Sequence, residues 1–156
     1  MKLLSLNAVY LLVGTLITIQ IVQTSAQSSR KYTFSSQTNF EEYLKAANVG
    51  MIKRSIVANQ KPDIVVETNG IGDYTISFIT SLKVIKISFS LGKQFEADVG
   101  FDTTNYYLAS LTNDNLIVWQ NLNNQSASIS FKFTENQLEI VYKANGVTGQ
   151  RLFSRV

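Results

Sequence analysis

The residue with the most chemistry to offer is an arginine among apolar neighbours. In the closing run Val147-Thr148-Gly149-Gln150-Arg151-Leu152-Phe153, alternate positions place Val147, Gly149, Arg151 and Phe153 on one face. If that face points inward, Arg151 is a buried guanidinium, and it should meet an anion or a dense set of hydrogen bonds. The other register turns Arg151 to solvent and Leu152 inward, and the pattern alone leaves both open. The carboxylates offer less. Glu67, Asp73, Glu96 and Asp98 fall near the ends of strand-like runs, form no convincing acid–base pair and read as a solvated rim. The chain has no histidine and no cysteine, which excludes His-based triads, His- or Cys-ligated zinc and disulfides. Carboxylate-only sites, lysine chemistry and plain binding survive. No enzyme is expected, and no catalytic residue, metal or cofactor is implied. One sequon, Asn124-Gln125-Ser126, makes Asn124 a candidate for N-glycosylation, with an unmodified asparagine in a polar turn as the other reading.

The elements that must position these residues begin after a distinct leader. Residues 3–22 carry no charge, follow Lys2, and give way to the small, polar stretch QTSAQSSRK. That is the pattern of a secretory signal peptide, with cleavage expected after Ala26; an uncleaved anchor is the alternative. A signal peptide over 1–26 leaves one domain, residues 27–156, with 13 basic and 11 acidic side chains. So small an excess gives no reason to expect nucleic acid. A secreted, extracellular domain without cysteine must be held by its core alone.

Next comes a short alternating run, Lys31 to Ser35, and then the one convincingly helical stretch, NFEEYLKAANVGMIKRSIVANQKP. Asn39 is a candidate N-cap with Glu42 completing a capping box, and Phe40, Tyr43, Leu44 and Ala47 make an apolar stripe. Gly50 interrupts it, a second helix is expected from about Met51 to Asn59, and Pro62 ends it. Everything after Pro62 is strand-like: Ile64–Thr68, Tyr74–Ser81, Val84–Leu91, Phe95–Val99, Tyr106–Leu111, Leu116–Leu122, Ala127–Phe133, Leu138–Lys143 and Val147–Phe153. Turn residues between them recur as in an antiparallel meander. With the first run they make ten strands, which most simply close into an all-β, up-and-down barrel capped by a two-helix lid.

Four segments carry a resemblance. KYTFSSQTNFEEYLKA, VGMIKRSIVANQKP, SLKVIKISFSLGKQFE and NGVTGQRLFSRV occur in order and together resemble the intracellular lipid-binding protein family, the fatty-acid-binding and cellular retinoid-binding proteins. The resemblance covers all of 27–156 and implies a calycin-type, ten-stranded barrel that carries one or two hydrophobic ligands. In many members two arginines and a tyrosine hold the ligand carboxylate. By resemblance Arg151 is the last-strand arginine, Phe153 stands at the tyrosine position and Phe131 at the other arginine position. Gln120 corresponds to an inward glutamine and Leu82 to the phenylalanine of the portal; with Phe101 these complete the candidate ligand-binding set.

One cation thus remains where many members have two and a phenol. Either a fatty acid binds in a shifted pose against Arg151 and Gln120, or the ligand is less polar. The resemblance implies a carrier of a long-chain fatty acid or similar molecule, expected as a monomer, and the leader implies that it is secreted. The alternative is a secreted stress-protective barrel with little specific transport. Lys45, Lys53 and Arg54 on the lid suggest transient contact with anionic membranes, or simply a solvated helix face.

Overall fold

A computed structural model of the chain describes residues 27–156. The leader expected over 1–26 lies outside the described residues. The elements run β1 (Ser28–Thr38), α1 (Phe40–Ala46), α2 (Met51–Asn59), β2 (Asp63–Thr68), β3 (Asp73–Ile79), β4 (Val84–Ser90), β5 (Gln94–Asp98), β6 (Thr104–Thr112), β7 (Leu116–Asn121), β8 (Ser128–Phe133), β9 (Gln137–Ala144) and β10 (Val147–Arg155). This is the ten-stranded antiparallel barrel with a two-helix lid that the pattern predicts.

The first strand is what bends the meander into a barrel. β1 pairs with β2 through Ser28–Tyr32 and with β10 through Tyr32–Thr38, and the register slips between Phe34 and Ser36. An extra residue on one strand of an antiparallel pair bends it and raises its twist, so one long strand can serve two neighbours. The hydrogen-bonded order is β4-β3-β2-β1-β10-β9-β8-β7-β6-β5, and no ladder joins β4 to β5. Side chains close that seam. The rings of Phe89 and Phe95 stack across it at 5.2 Å, and Trp119 meets both edge-on at 5.0 and 5.1 Å.

Alternation then decides what fills the barrel. Ile117 and Trp119 on β7, Ile129 and Phe131 on β8, and Leu138, Ile140 and Tyr142 on β9 all point inward and are buried. Trp119 and Phe131 lie 4.6 Å apart and are both fully buried, so the middle of the barrel is occupied by the protein's own aromatic rings. Such pairs add about 0.5–1.5 kcal/mol each beyond their buried area.

Helix α1 buries Phe40, Tyr43 and Leu44 against the barrel mouth and keeps Glu41 and Glu42 in its first turn, where the helix dipole favours them. The capping box is not formed. Asn39 makes no side-chain cap bond, because its backbone sits in the left-handed region (φ 55°) and not in the extended conformation of an N-cap; its Nδ2 donates to Thr148 O at 2.7 Å. The side chain is spent on tying the strand-to-helix bend to β10. Beneath α1 lies Gly149, where a Cβ would stand 2.8 Å from Tyr43 Cβ and 3.0 Å from Asn39 O. Helix α2 buries Val57 and Ala58 and leaves Met51, Ile52 and Ile56 exposed. Among the described residues no helix is long and apolar enough to cross a membrane.

Candidate functional site: a caged arginine under the helical lid

Arg151 is on the inward face, only 4% exposed, so the structure settles the choice of register left open by the sequence. Its guanidinium lies among three rings, 4.6 Å from the centroid of Phe40, 5.0 Å from Phe34 and 5.9 Å from Phe153. Each arrives on a different segment: Phe34 at the β1 bulge, Phe40 at the start of α1, Phe153 two residues along β10. Cation–π attraction compensates part of the lost hydration. Nη2 donates to Gln60 O, the carbonyl that follows α2, while Nε is buried without a hydrogen-bond partner among the described residues. Burial pushes the guanidinium below the ordinary arginine range, and the nearby Tyr142 works against that shift. Tyr142 itself is pushed up to about 12 by burial, so its hydroxyl stays protonated.

Arg151, Tyr142, Thr80, Lys83 and Phe101 border a cavity of about 40 Å³. Phe101 is aimed there by its loop: Asp98 Oδ1 accepts from the N–H groups of Gly100 and Phe101 at 2.8 and 2.9 Å, and Gly100 (φ +99°) takes a conformation that suits glycine. The cavity leads outward. Val57, Gln60, Lys83 and Gly100 line it and also line a cleft of about 420 Å³ between α2 and the β3–β4 and β5–β6 turns. Ile52, Ile56 and Leu82 make that cleft apolar. Across it Lys53 of α2 pairs with Asp102 of the β5–β6 turn, and this contact holds the Asp102 carboxyl below its usual range. On its other side, Phe101 separates the Arg151 cavity from a chamber of about 140 Å³ beneath α1. A wider cleft of about 440 Å³ lies at the opposite end of the barrel, among Glu67, Asp73, Ser88 and Ser90, with no cation lining it.

Of the candidate residues, Arg151, Phe153 and Phe101 come together, and Leu82 stands at the mouth of the cleft, 73% exposed. Phe131 is inward but packs on Trp119 and does not line the Arg151 cavity. Gln120 is a correction. With Ile117, Trp119 and Asn121 inward on β7, the two-residue period turns Gln120 to the outer face, where its Nε2 donates to Ala127 O at 3.0 Å and Gln125 O at 3.1 Å. It braces the β7–β8 turn and cannot meet a ligand beside Arg151. Asn124 is exposed in that turn, its Oδ1 accepting from Ser126 Oγ at 2.7 Å. Sequence reasoning missed Tyr142, Phe34 and the Gln60 carbonyl. Tyr142 had a signal, as the one inward side chain of Leu138-Ile140-Tyr142 with a polar tip; the carbonyl had none.

No protein-family model matches the chain. It is 30% identical over 118 residues to fatty acid-binding protein 12 of Mus musculus, covering 76% of this chain and 89% of that protein. To the fatty acid-binding protein of Tyrophagus putrescentiae it is 28% identical over 129 residues, covering 83% of this chain and 98% of the relative. Among solved structures it is similar to the fatty-acid-binding protein from brain tissue of Drosophila melanogaster, with a TM-score of 0.72 and 25% identity over 80% of this chain and 95% of that one. A mutant of the REP1-NXSQ fatty acid transporter superposes with a TM-score of 0.75 at 25% identity, covering 81% and 95%.

Proposed function

Because the chain belongs to the fatty-acid-binding protein family, we propose that it is a secreted carrier that holds a long-chain fatty acid with its carboxylate against Arg151. The observation that carries this reading is the guanidinium itself: buried, incompletely bonded, and bordering a cavity that continues into an apolar cleft. A carboxylate supplies the acceptor that Nε lacks, and a charge-assisted bond of this kind contributes about 1.5–3 kcal/mol. Most of the affinity comes from the chain, at ~0.8 kcal/mol per buried methylene. With Phe153 in place of a phenol, the phenol that lines the Arg151 cavity is that of Tyr142, protonated across the working pH range.

A cavity of about 40 Å³ is far smaller than the ~300–1,000 Å³ of ordinary ligand sites. Uptake therefore widens the barrel at its mouth. The cavity and cleft share four lining residues, so lifting α2 away from the β3–β4 and β5–β6 turns merges them. That motion breaks the Lys53–Asp102 pair and the Arg151–Gln60 bond, and the incoming carboxylate replaces the second of these. Lys53, freed when its pair with Asp102 breaks, and the exposed Met51, Ile52 and Ile56 suit the same helix to a brief encounter with an anionic membrane. Transfer rates that are equal for anionic and zwitterionic vesicles would end that part of the reading.

The deciding experiment is titration of delipidated protein with a fluorescent fatty acid, followed by displacement with an unlabelled one. Saturable, displaceable binding at one or two sites is expected; its absence defeats the carrier reading. Export is supported by the leader pattern, and N-terminal sequencing of protein recovered from the medium of expressing cells should begin at Gln27. An Asn124→Gln variant that loses mass relative to the exported parent would show that the sequon is used.

A further inference from the structure

Resting on the carrier reading above, we propose that the chamber beneath α1 is a subsite for a second oxygen on the lipid, so that the favoured ligand is a fatty acid hydroxylated along its chain. The chamber is not built like the greasy interior of a simple fatty-acid tunnel. Tyr43, Asn105, Tyr107, Asn121 and Ser128 line it, Thr103, Asn124 and Lys143 stand at its exposed rim, and Ile129, three alanines and Phe101 make its main apolar surface. Tyr43, Tyr107 and Asn121 are 5%, 3% and 7% exposed, so these polar groups are held within the protein. Asn121 spends its Oδ1 on the N–H groups of Asn123 and Asn124, at 2.8 and 3.0 Å, and what it brings to the chamber is its amide donor.

The chamber also stands in the right place. Phe101 lines both it and the Arg151 cavity, and the Tyr43 ring lies 6.2 Å from Phe101 and 5.2 Å from Tyr142. A lipid anchored at Arg151 that turns past Phe101 lays its chain across these groups. Burial raises the phenols of Tyr43, Tyr107 and Tyr142 above their ordinary range, with mutual repulsion between Tyr43 and the other two adding to the effect on Tyr43. All three are therefore neutral hydroxyls that both donate and accept. Asn105 already partners the Tyr107 hydroxyl on one side. A saturated chain pressed against the remaining hydrogen-bonding capacity of Tyr43, Tyr107 and Asn121 either leaves it unanswered or shares the space with the waters that answer it, of which about four fit at ~30 Å³ each. A hydroxyl on the lipid replaces such a water and keeps its hydrogen bonds. A site built to bond a hydroxyl discriminates against the ligand that lacks it.

The test compares stearate with a set of mid-chain hydroxystearates on delipidated protein by titration calorimetry, and the readout is the ratio of affinities. At least one hydroxylated isomer should bind about fivefold more tightly than stearate, the worth of one net hydrogen bond of about 1 kcal/mol. Tyr107→Phe and Tyr43→Phe remove hydroxyls carried by different elements, and either should bring the ratio towards one. If stearate binds and every hydroxylated isomer binds equally or more weakly, the subsite is overturned and the carrier reading stands. A preference that survives in both variants also overturns it, since the hydroxyl would then be read elsewhere. If neither class of acid binds, both readings fail.

Discussion

Replacing Arg151 with methionine separates what this residue does for the ligand from what it does for the fold. Methionine keeps an unbranched, adaptable stem among Phe34, Phe40 and Phe153 while deleting the charge. In the free protein the opposing terms are of similar size. The charge loses its bond to Gln60 O, about 1.5–3 kcal/mol for a charged donor, and its ring contacts, about 0.5–2 kcal/mol each. Removal also relieves the several kcal/mol needed to keep an incompletely paired ion 4% exposed. Stability in urea should therefore change by no more than about 1 kcal/mol. Ligand affinity has no such compensation. Losing the bond to a carboxylate should cost about 1.5–3 kcal/mol, or roughly 10- to 150-fold in Kd. The methyl ester of the same fatty acid serves as the control: the native protein should prefer the acid, and Arg151→Met should bind acid and ester alike. A variant that keeps its preference for the acid would refute the placement of the carboxylate, whatever its overall affinity.

Three further outcomes follow from the same geometry. Gly149→Ala drives a methyl group into Tyr43 Cβ, Phe40 Cα and Asn39 O, so α1 must rise from β10; a loss of about 1–3 kcal/mol in urea unfolding is expected, and an unchanged midpoint would show that α1 does not rest there as described. Trp119 is the only tryptophan, fully buried among Phe89, Phe95, Tyr107 and Phe131, so emission should be blue-shifted and resistant to acrylamide; free quenching would contradict the packed interior. Acid should destabilise the fold through Asp63, Asp73 and Asp102, whose carboxyls are held below the usual range chiefly by Lys31, by Ser90 and Asn69, and by Lys53. A depressed folded-state pKa contributes stability that is complete above the ordinary value near 4 and is lost as pH falls through the folded one. With no histidine, the urea midpoint should stay level from pH 7 to about 5 and decline below about 4. Asp73→Asn should make that decline shallower.

How far the sequence could be read depended on the kind of interaction involved. The strands were legible because a period of two survives in a single chain, and Ile129, Phe131, Leu138 and Ile140 obey it. Arg151 stood out for the same reason, as an exception to its face. Gln120 misled because resemblance assigned it inward while its own strand, with Trp119 as neighbour, says outward; alternation was the stronger guide. Asn39 misled differently. Its type and spacing fit a cap, yet its amide donates to the carbonyl of Thr148, 109 residues away, and a contact so distant leaves no local trace. The same holds for Gln60 O and for the three rings around Arg151, which meet only once the barrel closes.

The open seam gives this closed shape a direction in which to yield. β4 and β5 share no ladder; the three-residue turn between Ser90 and Gln94 joins them at the end of the barrel remote from the helices, and the ring stack of Phe89 and Phe95 packs beside it. At the helical end the same seam is flanked by the β3–β4 turn, carrying Leu82 and Lys83, and the β5–β6 turn, carrying Gly100, Phe101 and Asp102. Those residues line the cleft and the Arg151 cavity. Spreading the two turns breaks no backbone hydrogen bond between β4 and β5, whereas parting any other pair of neighbouring strands breaks several, each worth about 0.5–1.5 kcal/mol net. The ion pair of Lys53 with Asp102 is then the main polar contact opposing the motion from above; its ammonium is buried, while its carboxylate is 76% exposed and ready to be rehydrated as the pair parts. The barrel is thus weakest beside the proposed ligand entry, and the β4–β5 turn with its aromatic stack keeps the far end shut while the mouth opens.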